Sequence, residues 1–281
     1  MKTRVISGAF IAIFTLLIVW FGGLVTTLAL GVISIIGYIE LCRATKVCDK
    51  KPNILMILTF AGIVAYYALS YMGNDSIFLF LTVALMMIVH MAVYVIAYPK
   101  YHANQIMHSY FSFVYCPIML SFVLHTRMLS NYMDTLNYNI GFFLVWMIFI
   151  AAWFSDTFAY FTGVLFGKHK IFPVLSPKKT VEGCIGGVVG AGIGGLVYAI
   201  ILYNCGVLGG EYIIYFLIIG LIGSVVGQIG DLAASAIKRN YEIKDYGNLI
   251  PGHGGIMDRF DSIIFTSMLI YVLSIIFFGF Y

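Results

Sequence analysis

The residues best suited to chemistry lie late in the chain. From Gly227 the sequence reads Gly227-Gln-Ile-Gly230-Asp231-Leu-Ala-Ala-Ser235-Ala-Ile-Lys238-Arg239, which sets an aspartate inside an apolar run. A carboxylate in such a helix is expensive and by default marks a functional site. On a helix Asp231, Ser235, Lys238 and Glu242 share one face, and at 1.5 Å per residue Asp231 sits roughly 10 Å deeper than Lys238. It needs a cation, either a side chain or a metal; the plainer alternative is an ion pair between helices. The next stretch carries Lys244, Asp245, Gly247, then Pro251-Gly252-His253-Gly254-Gly255, then Asp258-Arg259-Phe260-Asp261. The Pro-Gly and Gly-Gly pairs let the backbone turn tightly and approach a ligand. Asp258 and Asp261, three apart where the last helix begins, face the same way with the positive end of the helix behind them, unless they merely cap it. Carboxylate oxygens without thiol partners suit Mg²⁺, which binds through one or two carboxylates plus substrate phosphates. Lys238, Arg239, Lys244 and Arg259 suit a polyphosphate. The combination points to a Mg-nucleotide site at a membrane surface. His253 is either a ligand or base there, or a residue that hydrogen-bonds the turn.

A second polar stretch precedes this one. It contains Ser155-Asp156-Thr157-Phe158-Ala159-Tyr160, then Lys168-His169-Lys170, then Ser176-Pro177-Lys178-Lys179-Thr180-Val181-Glu182-Gly183. Ser176 followed by Pro177 reads as an N-cap and first-turn pair, which would put Lys178 and Lys179 in the first helical turn. Cations there oppose the helix dipole at about 0.3–1 kcal/mol each. An anion on the free backbone N–H groups would relieve the conflict. The competing reading makes these lysines only markers of membrane sidedness.

The elements that must position these residues follow from composition. Of 281 residues, 62% are apolar and 10% charged, with a mean hydropathy of +0.99. Soluble domains sit near 45–50% apolar and about 25% charged, so a soluble enzyme, a disordered protein and a nucleic-acid-coating protein are excluded, and no nucleic-acid partner is expected. Continuous apolar runs fall near 5–21, 24–41, 54–72, 77–98, 108–126, 140–160, 183–203, 212–236 and 262–280. Only helices or closed barrels satisfy their backbone in lipid, and unbroken runs disfavour a barrel. The expected fold is an all-α polytopic membrane protein with about nine transmembrane helices. The first run could pass for a signal peptide, but apolar sequence continues to Leu41, too far for one. With the N-terminus on side one, fifteen basic residues fall there and only Arg127 opposite, so side one, with the N-terminus, is the cytoplasm. Residues 1–105 form less characteristic N-terminal helices, and residues 106–281 form a core with cytoplasmic loops 161–182 and 237–261. Five cysteines with no C-x-x-C spacing give neither a disulfide framework nor a zinc site.

The motifs carry a resemblance. Ser235-x-Ile-Lys238-Arg239, Lys244-Asp245-x-Gly247, Ile250-Pro251-x-His253-Gly254-Gly255-Ile-x-Asp258-Arg259-Phe-Asp261 resembles the signature of the bacterial-type phosphatidate cytidylyltransferases, or CDP-diglyceride synthetases, at every fixed position. Asp156-Thr157-x-Ala159-Tyr160 and Ser176-Pro177-Lys178-Lys179-Thr180-x-Glu182-Gly183 are similar to that family too, with Phe158 where glycine is usual. The resemblance implies an integral enzyme of the inner membrane that makes CDP-diacylglycerol and pyrophosphate from CTP and phosphatidic acid. It implies metal binding by Asp231 and Asp258, and it counts Asp261, Lys238, Arg239, Lys244, Asp245 and Arg259 with the catalytic residues. Asp156, Ser176, Lys178, Lys179, Thr180, Glu182, Ser235 and His253 then fall to substrate binding. Resemblance and close-packing glycines together favour a homodimer.

Two features of the sequence are set aside. Gly190-x-Gly192-x-x-Gly195 fits a dinucleotide-binding fingerprint literally, but lies in an apolar span without the strand that motif requires; small residues four apart instead let membrane helices approach closely. Glu40, ending the second span, would reach the site or cap a lysine, and no role is assigned to it. Two other functions stay open: a CTP-dependent lipid or polyprenol kinase, which would release CDP, and an ion or solute transporter using Asp156 and Asp231. Against the transporter, no inverted repeat is evident.

Overall fold

The computed structural model describes residues 2–48, 51–73, 76–129, 140–250, 252 and 254–279. The nine expected apolar runs are helical: α1 (Lys2–Phe21), α2 (Gly23–Ala44), α3 (Ile54–Tyr71), α4 (Ser76–Ile96), α5 (Ala103–Phe113) continuing through a π-turn (Val114–Ile118) to α6 (Phe122–Arg127), α7 (Ile140–Phe166), α8 (Val181–Asn204), α9 (Ile213–Asn240) and α10 (Met257–Phe278). Among the described residues, eight of these stretches are long and apolar enough to cross a membrane. The protein is an all-α, multi-pass membrane protein. Its described strands are the short hairpin β1 (Lys170–Phe172) and β2 (Ser176–Thr180). The five cysteines form no disulfide.

The chain divides into two compact units, Met1–Leu124 with Asn240–Arg259, and His125–Arg239 with Phe260–Tyr281. In the first, hydrogen bonds between side chains tie the helices, a bond that serves as glue where apolar contact alone is no different from lipid. Tyr38 on α2 pairs with Ser109 on α5 at 2.6 Å, and Ser34 with Tyr67 on α3 at 2.7 Å. The π-turn falls at Pro117, where a missing N–H breaks the regular ladder, and Tyr67 donates to the Pro117 carbonyl at 3.1 Å. Helix α4 buries only Met86 and His90. His90 is satisfied by the Met86 carbonyl at 2.7 Å and Ser109 at 3.1 Å.

The second unit is built on glycine. Helix α8 runs against α7 and α9 through a row of glycines whose missing Cβ atoms make the approach possible. A Cβ at Gly187 would lie 2.8 Å from the Ser155 carbonyl oxygen, at Gly190 2.2 Å from the Phe158 ring, and at Gly195 2.5 Å from the Phe216 carbonyl oxygen. The glycines therefore serve helix packing, as expected, and those three are engaged within one chain. Gly190 also accommodates Phe158, the departure from the family pattern, which stacks on Phe154. A polar knot locks the same three helices. Ser224 donates to Ser155 at 2.7 Å, and Gln228 donates to Ser155 at 3.2 Å and to the Cys184 carbonyl at 3.1 Å.

Two local expectations are corrected. Ser176 and Pro177 do not open the helix; they start strand β2, which pairs antiparallel with β1 (Lys170↔Thr180, Phe172↔Ser176). A residue before proline is pushed to extended backbone and proline's fixed φ tolerates a strand edge, so the pair fits either context. The N-cap is Thr180, extended at φ −119° and ψ 154°, whose hydroxyl accepts the Gly183 N–H at 3.1 Å. Lys178 and Lys179 thus lie on the strand before the helix, and no dipole conflict arises. Glu242 does not share the face of Asp231, because α9 ends at Asn240 and Glu242 turns left-handed at φ 55°.

Replacing Gly195 by alanine would drive a methyl into the backbone of α9. The expected cost is about 1–3 kcal/mol, read as a lowered Tm of the purified protein in detergent. A Tm equal to the parent's would contradict this packing.

Candidate active site

In the second unit three helices present acids. Asp156 lies on α7, Asp231 on α9 and Asp261 on α10. Asp231 forms an ion pair with Lys179 of strand β2, so the cation that its position demanded is a side chain of the hairpin. Asp261 is held by the Ser262 N–H at 2.8 Å and interacts electrostatically with Asp231, Lys238 and Asp156. The glycines before Asp231 explain this convergence. A Cβ at Gly230 would meet the Asp261 carbonyl oxygen at 2.7 Å, and one at Gly227 the Thr266 hydroxyl at 2.7 Å. Their absence lets α9 and α10 run close enough for the two aspartates to share a field.

Beside the acids a cavity of about 460 Å³ opens between α7, α8 and the hairpin, lined among others by Asp156, Tyr160, Lys170, Lys178, Lys179 and Gln228. Thr180 also lines it, though its hydroxyl is engaged in capping α8. Three lysines on one small hairpin make this wall cationic, as a phosphate site requires. Lys170 was assigned no role from sequence. Its signal is register, because pairing with Thr180 sets it beside Lys178 and Lys179, and register becomes visible only once the hairpin is known. Glu182 is occupied otherwise: it binds His169 Nδ1 at 2.6 Å and accepts the Lys168 N–H at 3.1 Å, clasping the turn that leads into β1. Ser176 is half-buried on β2, Ser235 lies one turn after Asp231, and Arg239 is exposed at the end of α9.

The first unit holds the other half of the signature. Asp258 is buried, 6% exposed, and its Oδ2 accepts the N–H groups of Tyr246 at 2.8 Å and Gly255 at 3.0 Å. The glycine turn closes through the Ile250 N–H to the Gly254 carbonyl at 2.9 Å. Gly252 and Gly254 take φ of 79° and 83°, where a side chain would be strained. Lys244, Asp245 and Arg259 are exposed. Pro251 and His253 lie outside the described residues. Glu40, unassigned from sequence, is buried and accepts the N–H groups of Ile256 and Met257 at 3.1 and 2.9 Å. The signal for it was the one used for Asp231, an acid in an apolar span.

Among the described residues no three Asp, Glu, His or Cys side chains gather as a metal cage. The donors available are carboxylate oxygens set among lysines. That set fits a hard divalent ion sharing its shell with phosphates and water, and does not fit a closed structural site.

Residues 2–277 match the model of the cytidylyltransferase family, and the chain belongs to that family; it is an integral-membrane nucleotidyltransferase. It is 33% identical over 279 residues to the phosphatidate cytidylyltransferase of Bacillus subtilis (strain 168), covering 99% of this chain and 98% of that protein. It is 30% identical over 281 residues to the phosphatidate cytidylyltransferase of Staphylococcus epidermidis, covering 98% and 99%. Against the Staphylococcus saprophyticus protein of the same name, identity is 44% over 136 residues, 48% of this chain and 50% of that one.

Gly230→Ala should part α9 from α10 and misplace Asp231 relative to Asp261. Misplacement by about 1 Å costs on the order of 10²-fold in rate, so cytidylyl transfer should fall by that order at unchanged expression. Parent-like turnover would show that the close approach does not matter to the site.

Proposed function

We propose that this protein is a phosphatidate cytidylyltransferase working at the cytoplasmic face of the bacterial inner membrane. It joins CTP and phosphatidic acid to give CDP-diacylglycerol and pyrophosphate. The observation that carries this reading is the cationic cavity beside the Asp231, Asp261 and Asp156 group, on helices whose apolar faces suit a substrate that stays in the bilayer. The cytoplasmic placement is supported by the fifteen basic residues assigned to one side of the spans.

Phosphatidate is a phosphate monoester with a second pKa near 6, so at neutral pH it is largely a dianion and needs no strong base. Its oxygen forms a bond to the α-phosphorus of CTP while the bond from that phosphorus to the β-bridging oxygen breaks, and pyrophosphate leaves with that electron pair. What the protein must supply is positioning and charge neutralisation. By their resemblance to the family's motifs, Asp231 and Asp258 are each a carboxylate that would suit Mg²⁺. That ion, when bound, neutralises phosphate charge and assists pyrophosphate departure. Lys170, Lys178 and Lys179 line the cavity to receive a phosphate headgroup. Lys179 exchanges its carboxylate partner Asp231 for that phosphate when substrate arrives. Lys238 and Arg239 at the end of α9 offset charge on the nucleotide phosphates.

The purified protein, given phosphatidate, Mg²⁺ and CTP labelled at either the α- or the γ-phosphorus, should place only the α-label in lipid. Label from the γ-position in lipid, with CDP released, would instead define a lipid kinase. Asp258→Ala should abolish Mg²⁺-dependent product formation without loss of membrane insertion; substantial residual turnover would refute the metal role of Asp258.

A further inference from the structure

The N-terminus of α10 is held by a residue from the far end of the sequence. A helix leaves its first N–H groups without partners inside the helix, and a buried donor left unpaired is costly. Here three successive amides are taken by two buried carboxylates. Gly255 donates to Asp258 Oδ2, and Ile256 and Met257 donate to Glu40 Oε1 and Oε2. Glu40 is 5% exposed and reaches these amides across 216 residues of chain. Hydrogen bonds to an ionised acceptor are roughly twice as strong as neutral ones, and the positive end of the helix favours the charge. Glu40 also interacts electrostatically with Asp258 and Arg43.

Two glycines of the signature are shaped around this carboxylate. A Cβ at Gly255 would lie 2.4 Å from both Glu40 oxygens, and one at Gly247 would lie 2.5 Å from Oε1. Unlike Gly252 and Gly254, neither has a left-handed backbone. Their smallness is what the structure uses. One turn before Glu40, a Cβ at Gly37 would meet Cys116 Sγ at 2.5 Å and Met257 Sδ at 3.4 Å, so α2 is brought against the first residue of α10.

We propose that Glu40 is a positioning residue for the reaction: it fixes the start of α10 and thereby the orientation of Asp258, and Gly247 and Gly255 are small to admit it. The inference builds on the reading of Asp258 as a metal-holding carboxylate. Glu40 itself touches amides and takes no part in the chemical step.

The test compares the parent with Glu40→Ala, Glu40→Gln, Gly255→Ala and Asp258→Ala as purified full-length proteins, by two readouts. The first is amide hydrogen exchange of the peptide covering 246–258. Glu40→Ala should speed it by about 10–100-fold, the value of a lost charged acceptor, with protection elsewhere unchanged. The second is the Mg²⁺ concentration for half-maximal activity. Loss of a group that orients a metal-holding residue costs about 10–100-fold in metal affinity or activity, while KM for phosphatidate should stay within about twofold. Glu40→Gln, which keeps one carbonyl acceptor, should recover part of both effects, and Gly255→Ala should reproduce them. Parent-like exchange and Mg²⁺ requirement in Glu40→Ala would overturn the proposal. So would faster exchange spread through all the helices with an unchanged Mg²⁺ requirement, which is the mark of a merely structural acid. Should Asp258→Ala keep parent-like activity and Mg²⁺ requirement, the metal reading of Asp258 fails. The local exchange result would then still decide whether Glu40 holds α10.

Discussion

An acid placed in an apolar helix must have its charge answered, and that constraint organises this protein. The buried and half-buried carboxylates are answered in more than one way. Asp231 takes a lysine from a strand; Asp258 and Glu40 take backbone amides; Asp261 takes its neighbour's amide and the field of Lys238.

Glycine is the second half of the design, and it acts in two physically separate ways. Gly252 and Gly254 supply left-handed backbone for a turn. Gly187, Gly195 and Gly230 supply absence of volume, so that helices meet at backbone distance, and Gly190 and Gly227 make room for the Phe158 ring and the Thr266 hydroxyl. In lipid that contact has no hydrophobic effect to assist it, and close packing with a few hydrogen bonds must hold the bundle. The Ser155, Ser224 and Gln228 knot, three residues before Asp231, ties the packing of α7, α8 and α9 to the acids.

Much of this was legible in the sequence, for reasons that can be named. The helical spans follow from long continuous runs of apolar residues, and the need of Asp231 for a cationic partner follows from its cost there. The row of glycines was readable as packing because it lies inside an apolar span. What the sequence hid depends on partners distant in the chain. Ser176 and Pro177 fit a helix start and a strand equally well, and only the pairing with β1 decides between them. Lys170 joins the cationic wall through that same register. Glu40 was visible as an acid at a helix end, yet its partners lie more than two hundred residues later.

The central claim is that the carboxylate of Asp231 exchanges its lysine for a divalent ion carried with the nucleotide. Anomalous diffraction from crystals grown with Mn²⁺ and a non-hydrolysable CTP analogue tests it most directly. The account predicts a manganese peak coordinated by an Asp231 oxygen, with Lys179 moved on to a phosphate. A nucleotide bound with its metal elsewhere, and the Lys179–Asp231 pair intact, would contradict it.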